Sequence, residues 1–178
     1  MLAMGLATAT NRRRLGCNDL VRRIRGTKGS PPKTGEHVVC LKNMKTEGAA
    51  TPIYNGMRGV LASDALDGDS DEQLCASIGF PDDGIEPQEF NLLAAQFNRE
   101  GTFSSPQDLL RETGLRSLSE AGALFDFGYA LTCHKMQGSQ YEDLVVVAEK
   151  MGPMSMEDWT RWQYTAVTRA AERLTVLR

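Results

Sequence analysis

The chain has 178 residues, 41% of them hydrophobic, which suits one domain of ordinary size with a real core. Its net charge of −3 conceals an uneven spread: ten Lys/Arg face two Asp/Glu in residues 1–45, four face fifteen in 46–126, and six face six in 127–178. No apolar run reaches the roughly 18 residues of a membrane span, and Cys17, Cys40, Cys75 and Cys133 lack C-x-x-C spacing, which argues against membrane insertion, a disulfide framework, secretion and structural zinc.

Leu2 to Thr10 is small and apolar and reads as the tail of a buried strand. Thr10 or Asn11 then caps a helix with apolar positions Leu15, Leu20, Val21 and Ile24, crossed by Arg12, Arg13, Arg14, Arg22, Arg23 and Arg25 and ended by Gly26. Gly29, Pro31, Pro32 and Gly35 supply turn chemistry and a module boundary. Short strand signals follow at Glu36–Leu41 and Gly59–Ser63, on either side of the turn-prone Tyr54-Asn-Gly-Met57, and predict a small barrel. Asp64–Pro87 is acidic, with an alternating piece at Leu74–Ile78. Gln88–Gly122 reads as one or two helices around Leu92, Leu93, Phe97, Leu109 and Leu110. Phe127–Cys133 and Leu144–Ala148 read as buried strands, the second with the β-branched run of a parallel sheet covered on both faces. Ser155-Met-Glu-Asp158 predicts a capping box, opening a helix with Trp159, Trp162 and Val167 on its apolar side, and Leu174–Leu177 a closing strand.

Phosphate chemistry is informative first by what is missing. A P-loop needs G-x-x-x-x-G-K-[ST], and the chain has none. Gly29-Ser-Pro-Pro-Lys-Thr34 imitates its end, but the glycine before Lys33 is absent and two prolines remove amide donors.

Two strings carry chemistry. In Tyr129-Ala-Leu-Thr-Cys-His-Lys-Met-Gln-Gly-Ser-Gln140, Thr132 ends a strand, His134, Lys135 and Gln137 occupy the following turn, and Gly138 permits close backbone approach, which suits a sugar-phosphate backbone. Cys133 and His134, as neighbours on a strand, face opposite ways and do not form a nucleophile and base pair, so Cys133 reads as a buried small residue. In Tyr164-Thr-Ala-Val-Thr-Arg-Ala170, Arg169 ends a helix, where a lone arginine usually complements the dipole.

Together these strings resemble motifs V and VI of superfamily 1 helicases. Asn11-x-x-Arg14-x-x-x-Asn18 resembles the motif IV region of the RecD-like and Dda-like branch, and Gly35–Asn43 with Tyr54–Val60 is similar to that branch's SH3-like insertion. The resemblance implies an α/β fold: a RecA-like parallel-sheet domain, the second motor domain, in residues 1–34 and 126–178, with a small SH3-like β-barrel and helical segment inserted at 35–125. It implies Arg169 and Arg14 as catalytic arginines acting on the γ-phosphate, Gly138 and Gln140 near the nucleotide, and Thr132, His134, Lys135, Gln137, Ser139 and Asn11 on single-stranded DNA. Many relatives carry glutamate where Gln140 stands. ATP and Mg²⁺ are expected to bind mainly to an absent N-terminal RecA-like domain, so the chain alone is expected to be inactive. The implied setting is the cytoplasm of a bacterial or phage-infected cell. A non-catalytic nucleic-acid-binding remnant and an RNA-acting motor are the alternatives.

Overall fold

The computed structural model describes residues 2–44, 52–68, 72–98, 106–117, 122–150, 152 and 154–178. Two compact units divide the chain, one of Met1–Val21 with Tyr129–Arg178 and one of Arg22–Gly128.

The first unit is built on four parallel strands. β1 (Leu2–Thr8) pairs on one side with β8 (Leu131–Thr132) and on the other with β9 (Tyr141–Val147), which pairs with β10 (Ala170–Leu177). Parallel neighbours need a crossover, and α4 (Met156–Val167) makes the one from β9 to β10. The expected α/β parallel sheet is therefore present. Tyr141, Leu144, Val146 and Ala7 are buried at 0–1% exposure. A Cβ on Gly5 would stand 2.6 Å from the Tyr141 ring, so only glycine lets that ring lie on β1.

α1 (Asn11–Ile24) begins with a threonine cap, the Arg13 amide donating to Thr10 Oγ1 at 3.1 Å. Its expected apolar face is corrected by the structure. Leu20 is 54% and Ile24 77% exposed, whereas Arg14, Asn18 and Arg22, four residues apart, form the buried stripe. Polar groups are tolerated there because partners meet them: in this unit Asn18 Oδ1 accepts from the Ala130 amide at 2.7 Å.

The second unit is antiparallel. β2 (His37–Cys40) pairs with β3 (Arg58–Leu61) and with β7 (Phe125–Phe127), while the long β5 (Gln73–Phe80) shares one edge between β3 and β4 (Leu66–Asp67) and gives the other to β6 (Ile85–Leu93). A bridge from Leu92 to Ala123, just before β7, joins β6 back to the start of the circuit. The ring of pairings encloses Phe80, Phe90 and Phe125, whose centroids lie 5.4–6.3 Å apart. α2 (Ala94–Asn98) and α3 (Pro106–Thr113) follow, with Leu109 packed against Leu93 and Leu124.

Two sequence expectations fail in instructive places. Gln88–Leu93 is strand, because β5 supplies a partner along its length; of the expected helical run, residues 99–105 and 118–121 lie outside the described residues. Phe127–Cys133 is no single strand: Phe125–Phe127 pairs with β2, Leu131–Thr132 with β1, and Cys133–Met136 is a 3₁₀ turn.

Candidate functional site

In the first unit, β8 ends at Thr132, whose extended backbone (φ −71°, ψ 146°) leads into the Cys133–Met136 turn. Cys133 and Met136 point inward at 2% and 1% exposure, which turns His134 and Gln137 outward. Thr132, Lys135 and Ser139 are half-buried, and Gly138 and Gln140 are exposed. The Ser139 amide donates to the Met136 carbonyl at 3.1 Å, and Gly138 at φ +88° makes the bend that an L-residue resists. The premise about Cys133 and His134 is corrected, since both lie in a 3₁₀ turn and not on a strand. Cys133 is buried all the same. Burial pushes its thiol above the usual value of 9.0, and the charge of Arg169 opposes part of that rise.

α4 opens on the expected cap. Ser155 Oγ accepts from the Asp158 amide at 3.0 Å and donates to the Asp158 carboxylate at 2.7 Å. Trp159, Trp162 and Ala166 are its buried residues, with Val167 only half-buried, and the two indoles stack 5.0 Å apart. Arg169 does not end this helix: α4 stops at Val167, Thr168 caps it, and Arg169 occupies the turn before β10. Its carbonyl accepts from the Tyr141 amide at 2.9 Å, which ties it to the residue after Gln140. Its side chain is half-buried, one terminal nitrogen donating to Thr168 Oγ1 at 3.2 Å, while Nε is buried with no hydrogen-bond partner among the described residues.

Strand register divides the predicted residues into two groups. Thr8 aligns with Thr132 where β1 and β8 finish, and Asn11 and Arg14 follow that end in the first turn of α1. Leu2 aligns with Tyr141, and Tyr141 with Ala170, at the opposite end, where Gln140 and Arg169 stand. The seven residues of β1 put roughly 20 Å between the two ends. Asn11 is exposed, but Arg14 is 3% exposed, which closes its guanidinium to phosphate.

A cleft of about 240 Å³ opens between the turn and α4, lined by Cys133, His134 and Gln137 on one side and by Met154, Asp158, Arg161, Trp162 and Thr165 on the other. Sequence reasoning gave Asp158 only a capping role, and gave Arg161 and Thr165 no contact with a ligand. Their spacing along one helical face was the available signal. Among the described residues no group of three His, Cys, Asp or Glu could hold a metal, and no helix is long and apolar enough to cross a membrane.

Residues 127–177 match the family model of the UvrD-like helicase C-terminal domain. No curated protein matches the chain. Among solved structures, a Pif1 helicase from Candida albicans is similar at 18% identity and a TM-score of 0.53, covering 100% of this chain and 45% of that one. A Bacteroides Pif1 helicase in complex with ADP-AlF3 and ssDNA is similar at 13% identity and a TM-score of 0.57, covering 98% and 40%. At these identities the likeness is one of fold, and the chain spans less than half the length of either structure.

Proposed function

We propose, from the premise that residues 127–177 form a C-terminal domain of the superfamily 1 helicase kind, that the chain is one lobe of an ATP-driven motor on single-stranded DNA. A second lobe with a P-loop binds most of the ATP and its Mg²⁺, and this lobe completes the cleft. Arg169 neutralises charge that grows on the γ-phosphate, with Gly138 and Gln140 beside the nucleotide. Thr132, His134, Lys135, Gln137, Ser139 and Asn11 hold the strand's backbone. Arg14 stands with Thr132 at the opposite end of the sheet from Arg169 and takes no part in that charge neutralisation. The second unit corresponds to the SH3-like insertion of the RecD-like and Dda-like branch. Closure on ATP shifts one grip relative to the other and moves the strand.

The observation that supports this reading best is the state of Arg169. A buried guanidinium N–H without a partner is costly, and such groups persist where a ligand satisfies them. Its carbonyl is anchored at the start of β9, so the residue is held in place while that donor stays unspent. The test joins the chain to a P-loop lobe and measures ATP turnover with and without single-stranded DNA. Arg169→Ala is expected to lower turnover by about 10³ or more with little change in DNA affinity, and Arg169→Lys to recover only part of it. Wild-type turnover in Arg169→Ala removes the catalytic role, and robust hydrolysis by the isolated chain removes the two-lobe reading.

A further inference from the structure

The strand contacts proposed above use only one wall of the cleft between the Cys133–Met136 turn and α4. The other wall carries Asp158, Arg161, Trp162 and Thr165, which have no role in that proposal. We infer that this cleft receives one base of the bound strand, a site that rests on the strand-binding reading and extends it onto α4.

Three features select a base over a phosphate. The cleft is backed by apolar groups, with Trp162 at 5% and Cys133 at 2% exposure, and a planar ring fits against such groups better than an ion does. At about 240 Å³ it falls below the roughly 300 Å³ at which pockets for drug-sized ligands begin, which suits a single ring system. Its polar residues include an acceptor, Asp158, beside donors on Arg161 and Gln137, and base edges present the same mixture of donors and acceptors. A carboxylate in that position repels phosphate. It accepts from a base N–H, whether an exocyclic amine or the ring N3–H of thymine.

Asp158 accepts from Ser155 Oγ through one carboxylate oxygen and presents the other, and Arg161 can turn toward a ligand. Arg161 pairs with Glu157 at 2.5 Å, but both side chains are more than 70% exposed, and such a pair on a helix surface is weak. The Trp162 indole N–H is buried without a hydrogen-bond partner among the described residues, which leaves a donor on a residue that lines the cleft. His134 and Gln137 on the facing wall hold the neighbouring backbone, so the base enters from a strand already in place.

Trp159 and Trp162 are the chain's two tryptophans, so all indole emission reports from α4. The experiment titrates the full chain with a thymidine oligomer and with its abasic counterpart of equal length. The thymidine oligomer is expected to quench indole emission and to bind roughly fivefold or more tightly, the low end of what one stacked base contributes. Thr165→Leu, which narrows the cleft, is expected to erase that gap while affinity for the abasic oligomer stays as in wild type, and Thr165→Val is expected to keep it. Equal binding of both oligomers with unchanged emission in the wild-type chain overturns the base site and leaves backbone gripping intact. Failure of both oligomers to bind overturns the strand reading and this site with it.

Discussion

Removing the Arg22 side chain should unfold the second unit far more easily than removing any surface arginine. Arg22 and Glu36 are buried, with side-chain exposures of 7% and 1%. The Glu36 carboxylate accepts from Arg22 Nε at 2.8 Å and from its terminal nitrogen at 3.3 Å, from Thr27 Oγ1 at 2.8 Å and from the Lys33 amide at 2.9 Å. The same guanidinium donates to the Ser30 carbonyl at 2.8 Å and sits 4.0 Å from the centroid of the Phe127 ring. Arg22→Met retains most of the aliphatic volume but strands an ionised carboxylate in the interior, for which about 3–5 kcal/mol is expected, with roughly 1 kcal/mol of it from the lost ring contact. Glu36→Gln strands the cation in turn. The double variant Arg22→Met/Glu36→Gln should cost less than the sum of the two by about 2 kcal/mol or more, because neither charge is then left alone.

Urea unfolding followed by circular dichroism at neutral pH measures all four proteins, and the same titration in acid adds a signature. Burial, the largest single influence on Glu36, pushes its pKa up, but the hydrogen bonds from Arg22, the Lys33 amide and Thr27 together outweigh it and hold the pKa below the ordinary 4.5. A carboxyl depressed on folding lends stability in full above its unfolded value and loses it as pH falls through the folded value. The wild-type chain should therefore weaken below about pH 4.5, and Arg22→Met should flatten that limb. Singles that unfold within roughly 0.5 kcal/mol of wild type, or a double that is strictly additive, would refute the buried pair.

Gly5→Ala should destabilise the first unit by about 1–3 kcal/mol in thermal melts, because the Tyr141 ring beside it is 1% exposed and has nowhere to move; an unchanged melting temperature would show that the ring does not lie on β1. On β10 the Leu177 carbonyl accepts from the Ala148 amide, which turns odd-numbered residues of that stretch toward β9 and even-numbered ones toward the open edge. Val176→Pro should thus fold at modest cost, whereas Thr175→Pro, which deletes a ladder donor, should cost about 3 kcal/mol or more; equal losses in urea unfolding would contradict that parity.

What was legible in the amino-acid order, and what was not, follows from how far away each residue's partner lies. The run Leu144–Val147 declares a buried strand by its β-branched composition alone, and Ser155 with Asp158 declares a helix start because the group that satisfies the cap stands three residues on. The polar buried stripe of α1 was unreadable for the opposite reason: Asn18 is stabilised by the Ala130 amide, 112 residues on, so Leu20 and Ile24 looked like the interior face and are not. The stretch from Phe127 to Cys133 has the composition of one strand, yet Gly128 lies against the Val38 backbone, where a Cβ would come within 2.7 Å, and the chain passes there from one unit to the other. Gly29–Thr34 shows the same rule from the other side. Its likeness to a phosphate loop ends where its donors are already committed: the Lys33 amide serves Glu36, while the Thr34 amide, the Lys33 ammonium and the Thr34 hydroxyl hold the Asp64 carboxyl down to about 2. Those four donors are already held by carboxylates of Glu36 and Asp64 and are not offered to phosphate. Arg169 differs in kind: among the described residues its buried Nε has no partner, although its carbonyl is fixed by the Tyr141 amide.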